Sequence, residues 1–89
     1  MKPYDEQRIV AAAIKQGNVI CSVPAPGRHC DVIRTMAHAG FPIPINGLQG
    51  FLTDEGQFVE RRVALGIAEC ARQLLPGKGH GELFSEDVW

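Results

Sequence analysis

Hydrophobic and polar positions divide the chain into two similar halves. Arg8 to Lys15 is an apolar run closed by a lysine, Gln16-Gly17-Asn18 carries a turn, and Val19 to Val23 is short and β-branched. A glycine able to take positive φ between two such runs predicts a β-hairpin over 8–23. An alanine-rich helix is the alternative for the first run, but Gly17 and the β-branched return favour the hairpin. Pro24-Ala25-Pro26-Gly27 stops the strand, because proline has no N–H to donate to a ladder. A helix is predicted over 28–39. At about 100° per residue, Val32, Ile33 and Met36 share a face with His29 in its middle, and Cys30, Asp31, Arg34 and His38 lie opposite. Gly40 is placed to end it, with Pro42 just beyond.

The second half repeats the pattern. Leu48 to Val59 predicts a hairpin turning at Asp54-Glu55-Gly56, so its range is 48–59. A helix follows over 60–75, with Val63, Ile67, Cys70, Ala71 and Leu74 on one side. Arg61, Arg62, Glu69, Arg72 and Gln73 take the other side, with Leu65 among them. Pro76 to Gly81 is a glycine-rich loop, and 82–89 is an apolar tail. The predicted fold is a single α+β domain over 1–89, in the order ββαββα. Two helices pack on a small, mainly antiparallel sheet of about four strands. Phe84 and Trp89 would leave an exposed apolar patch if the tail frayed, so the tail is expected to dock, on its own sheet or on a neighbouring subunit.

Length strengthens that expectation. A chain of 89 residues buries only about 60–65% of its unfolded surface. Cores of this size rarely supply more than ~3–5 kcal/mol without a staple. A homo-oligomer is therefore expected, with Leu65 and the Phe84–Trp89 tail as its contacts. Nine Lys and Arg against ten Asp and Glu leave a net charge of -1. That balance excludes bulk attraction to nucleic acid or to an anionic membrane. The sequence has no apolar run long enough for a membrane helix and no secretory leader pattern, and its three cysteines have no repeated spacing. These features predict a cytoplasmic protein with reduced thiols.

The candidate chemistry lies at the two predicted helix starts. Arg28 and His29 open the first helix, where free backbone N–H groups and the positive dipole end suit a phosphate. The bland alternative is a solvated arginine and a hydrogen-bonded core histidine. Arg61 and Arg62 open the second helix against the dipole's preference for anions, which suggests a ligand or an intersubunit carboxylate. The bland alternative there is a solvated face. His29 and Cys30 point about 100° apart, no metal-ligand spacing occurs, and no nucleophile–base pair is visible. No catalytic residue, metal or cofactor is expected.

The blocks Ile9-Val-Ala-Ala-Ala-Ile-Lys15, Pro24-Ala-Pro-Gly-Arg-His29, Gln49-Gly-Phe-Leu-Thr53, Gly56-Gln-Phe-Val59 and Phe84-Ser-Glu-Asp-Val-Trp89 resemble a family of small phage proteins, the first type of Thoeris anti-defence (Tad) protein. The resemblance covers nearly the whole chain. It implies a sponge that binds cyclic ADP-ribose isomers made by bacterial TIR immune enzymes, without cleaving them, in the host cytoplasm. It also implies dimers or hexamers with nucleotide pockets near subunit interfaces, and in some members a second uptake of cyclic oligonucleotides. Cys30 and Glu60 depart from the histidine and aspartate expected at those positions.

Such a ligand needs cations for phosphate, an aromatic face for the base, and carboxylates or amides for ribose hydroxyls. The chain offers Arg28, His29, Arg61 and Arg62 for the first. Phe51, Phe58, Phe84 and Trp89 are available for the second, and Gln49 and Asp87 for the third. Two other readings compete: an oligomeric protein-interaction or inhibitor protein with no nucleotide ligand, and, ranked last, a small nucleotide-processing enzyme.

Overall fold

The computed structural model describes residues 2–89. Its strands and helices are β1 (Ile9–Gln16), β2 (Val19–Pro24), α1 (His29–His38), β3 (Leu48–Thr53), β4 (Phe58–Glu60) and α2 (Arg61–Cys70), with single 3-10 turns at Tyr4–Glu6 and Ser85–Asp87. The sheet is antiparallel throughout, in the order β2-β1-β3-β4. The ββαββα order of an α+β fold is therefore present. Gln16 pairs with Val19 across the Gly17-Asn18 turn, and Gly17 takes φ 61°. Positive φ at the first central position suits the tight hairpin turn that follows the strand twist.

Both helices cover one face of the sheet. Ala12, Ile14, Phe51 and Val59 meet Val32 and Met36 of α1 and Ala64, Ile67 and Ala68 of α2. The buried stripe of α1 is His29, Val32 and Met36, and Ile33 lies outside it, exposed. Its C-terminus closes as the sequence suggests: Gly40 has φ 97°, and Phe41 N–H donates to the Met36 carbonyl at 3.1 Å.

Helix α2 departs from expectation in two ways. Its buried stripe is Ala64, Ile67 and Ala68, while Val63 and Cys70 are exposed. The small alanines let the helix backbone approach the sheet, which apolar bulk at Val63 would not. It also ends at Cys70, not near residue 75. Arg72 adopts φ 56°, Gln73 N–H donates to the Ala68 carbonyl at 2.9 Å, and Arg72 N–H donates to the Glu69 carbonyl at 3.1 Å. This is a Schellman ending with a non-glycine residue in its left-handed position.

The turn delivers Gln73 to the sheet. Its Oε1 accepts from Ile9 N–H at 2.7 Å and its Nε2 donates to the Ile9 carbonyl at 2.8 Å. A side-chain amide thus satisfies β1 where the register shifts between Ile9 and Ala11. Arg72→Gly relieves a left-handed L-residue but adds freedom to the unfolded chain. The expected net result is roughly 0.5–1 kcal/mol of added stability, measured by denaturant titration.

The tail docks on its own chain. Leu83 is wholly buried and its N–H donates to the Arg61 carbonyl at 3.0 Å. Leu75 N–H donates to the Asp87 carbonyl at 2.8 Å, and Trp89 Nε1 donates to the Gly27 carbonyl at 2.7 Å. Leu65 is half-buried and packs toward the core, and together with Leu74 it stands against Gly79 of the following loop. Of the expected subunit contacts, Leu65 and Trp89 are thus half-buried within the monomer, while Phe84 stays 37% exposed. An aromatic end beside a small core finds its nearest apolar surface between its own two helices.

Candidate functional site

Arg61 is the first residue of α2, immediately after β4. Its guanidinium lies 4.5 Å above the centre of the Phe84 ring, and one Nη2 N–H donates to Gln49 Oε1. The Nε of Arg61 is buried with no hydrogen-bond partner among the described residues. A guanidinium has five donors in a planar fork, so stacking and one amide orient it while leaving donors over.

Two hollows meet at Arg61. One, of about 420 Å³, is lined by Arg28, His29, Cys30, Arg61, Phe84 and the Ser85-Glu86 turn. The other, of about 480 Å³, is lined by Gln49, Glu60, Arg61, Arg62, Glu82 and the Gly47-Leu48 backbone region. Each combines guanidinium groups with at least one carboxylate, and the first adds an aromatic ring.

The start of α1 supplies the far wall. Arg28 Nη2 donates to the Trp89 carbonyl at 2.6 Å, which ties this arginine to the tail. The Arg28 backbone N–H donates to Asp31 Oδ2 at 2.8 Å, so a carboxylate of the chain itself already stands at this helix end. A bare N-terminus ready to cradle phosphate, as the sequence suggests, is therefore partly neutralised, and the cationic character of the wall rests on the Arg28 side chain.

His29 faces inward. Its Nε2 is 2.8 Å from the Gly50 carbonyl, and its ring meets Phe51 edge-on at 4.9 Å. Burial pushes its pKa below the ordinary imidazole value; the hydrogen bond to Gly50 opposes that shift, and the nearby Arg61 charge adds to it. The neutral ring then donates from Nε2 to the carbonyl. Because the folded pKa is depressed, the stability this group supports is fully present above pH ~6.5 and is lost as pH falls through the folded value. Thermal melts between pH 7 and pH 5 are expected to show that loss, with a slope of at most about 1.4 kcal/mol per pH unit, the limit for one proton. The same slope should shrink in His29→Gln.

The residues singled out from the sequence separate into three groups. Arg28, His29, Arg61 and Phe84 line one hollow, and Gln49, Arg61 and Arg62 line the other. Phe51, Asp87 and Trp89 line neither of these two hollows. Phe51 has no exposed surface, Asp87 is buried with its carboxylate accepting the Phe84 N–H at 2.8 Å, and Trp89 packs edge-on toward Phe51 at 6.4 Å. Phe51 and Asp87 are buried and present no free face to a ligand, whereas Trp89 is half-buried and lines a third hollow of about 460 Å³ with Arg8, Arg72 and Gln73. Phe58 belongs to the opposite face of the sheet, since its neighbour Val59 points into the core.

Sequence reasoning missed Glu60 and Glu82 as lining residues; Glu86 belongs to the acidic Ser85-Glu86-Asp87 segment that the sequence offers as an anchor for ligand hydroxyls, and it lines the first hollow. Glu82 and Glu86 come from a tail whose path no periodicity reveals. Among the described residues, no group of three or more His, Cys, Asp or Glu side chains converges as a metal would require.

Residues 8–89 match the family described as Phage T4 y16D protein. The chain belongs to that family. The match covers every strand, both helices and the tail, so the two hollows around Arg61 lie wholly within the region shared with the phage y16D family. No curated protein and no solved structure matches this y16D-family chain. No helix among the described residues is long and apolar enough to cross a membrane.

Proposed function

We propose that this phage protein is an anti-defence sponge. It binds a cyclic nucleotide immune signal, a cyclic ADP-ribose isomer, in the cleft around Arg61. It does not cleave that signal, and so silences TIR-dependent Thoeris signalling in the host cytoplasm. The observation that carries this reading is the Arg61–Phe84 stack between two hollows. A guanidinium held over a ring offers donors to a phosphate at its edge, while the exposed part of the ring is a surface for a base. Arg28 supplies a second cation across the hollow, and Glu86 an acceptor for ribose hydroxyls. The acids among the arginines favour a ligand that carries hydroxyls as well as phosphates over a bare polyanion.

The test is titration calorimetry of the full chain with a cyclic ADP-ribose isomer, with linear ADP-ribose as comparison. Saturable binding that favours the cyclic form is expected. Absence of heat with every nucleotide tried would remove the sponge reading. A protein-interaction role is the second reading, favoured by the apolar outer face of the sheet.

A further inference from the structure

The helices cover one face of the sheet, and the strand pairing fixes what stands on the other. Lys15 pairs with Ile20 on one side and Leu48 on the other. Ala13 lies between Ser22 and Gly50, and Gly50 pairs with Glu60. Ala11 lies between Pro24 and Leu52, and Leu52 pairs with Phe58. These are the residues that alternate with the core-facing Ala12, Ile14, Phe51 and Val59, so they share the outer face.

An antiparallel sheet with one face in water ordinarily alternates apolar inside with polar outside. This outer face does not. Leu48 is 54% exposed and Ile20 45%, and Leu52 and Phe58 are partly exposed beside them. Phe58 folds over Gly50 so closely that a Cβ there would stand 2.6 Å from the ring. Of the paired positions on this face, only Ser22, Lys15 and Glu60 are polar.

We propose that this face is the interface of a homodimer. The two charges select a second copy over another apolar partner. Lys15 and Glu60 have opposite sign and sit two strands apart on the same face, and neither has an ion-pair partner among the described residues. A two-fold axis lying in the interface and bisecting the line between them exchanges the two positions. Lys15 of each copy then meets Glu60 of the other, making two symmetric ion pairs at the rim of an apolar patch, as an isologous interface requires. Leu48 and Glu60 also line the hollow beside Arg61, so the second copy would stand at its edge. The dimer does not depend on the ligand reading and is measured without ligand.

The test is sedimentation equilibrium of the full chain, with far-UV circular dichroism as the check on folding. The wild type is expected to be a dimer at micromolar concentration. Lys15→Glu and Glu60→Lys each place like charges at both symmetric contacts, and each is expected to weaken the dimer by about tenfold or more. The double reversal should restore it. Leu48→Asp, at an exposed position, should give a folded monomer. A wild type that stays monomeric up to millimolar concentration overturns the proposal. So does a dimer indifferent to Leu48→Asp, or a double reversal that fails to recover association.

Discussion

Deleting residues 82–89 is expected to abolish the cooperative thermal transition of this protein. The segment supplies Leu83, wholly buried in the core cluster, and truncating a buried leucine alone costs about 2–5 kcal/mol. It also carries the hydrogen bonds from Leu83 N–H to Arg61 and from Leu75 N–H to Asp87, and that from Trp89 Nε1 to Gly27. Each contributes about 0.5–1.5 kcal/mol, with a further cost where a buried partner is left unpaired. Together these losses rival the whole ~5–15 kcal/mol that keeps a domain folded. Leu83→Ala is the graded version, expected to remain folded with roughly 2–5 kcal/mol less stability. Scanning calorimetry decides the matter. A truncated chain that melts with unchanged midpoint would mean that the tail serves another molecule and not its own core.

Arg61→Ala is expected to have the largest effect on ligand binding. The side chain stacks on Phe84, meets Gln49 and borders both hollows. Losing a charge-assisted pair removes about 1.5–3 kcal/mol, a factor of roughly ten to one hundred in affinity. Arg61→Lys keeps the charge but loses the planar fork and the stacked face, so it should recover only part of that loss. Arg62 lines one hollow only and is exposed, so Arg62→Ala should cost less. Calorimetry on the three variants gives the order, and equal affinities throughout would move the site away from the start of α2.

The fold was largely legible in the sequence because each half carries its own signals. Gly17 and Gly56 mark turns, Gly40 ends α1, and β-branched runs mark strands. What local signals could not give was the end of α2. Arg72 takes the left-handed position that glycine usually holds, and its reason is the long-range pairing of Gln73 with Ile9. The buried stripe of α2 was misjudged for a related cause: large apolar residues score as core, whereas close packing on the sheet here uses alanines.

The candidate site was half legible. Arginines at helix starts are visible in one dimension, and Arg28, Arg61 and Phe84 do converge. The aromatic residues could not be sorted. Phe51, Phe58 and Trp89 have equal claim by composition, and only the register and the path of the tail separate core, outer face and cleft. Burial likewise decides His29, whose Gly50 contact no spacing announces.

The central claim is that the cleft around Arg61 holds a cyclic nucleotide without consuming it. The most direct measurement incubates the protein with a cyclic ADP-ribose isomer, removes unbound ligand, denatures the protein by heat and analyses the supernatant by mass spectrometry. The account predicts intact cyclic ligand, in proportion to the protein, and little from Arg61→Ala. Recovery of linear or hydrolysed product, or of no nucleotide from the wild type, would contradict it.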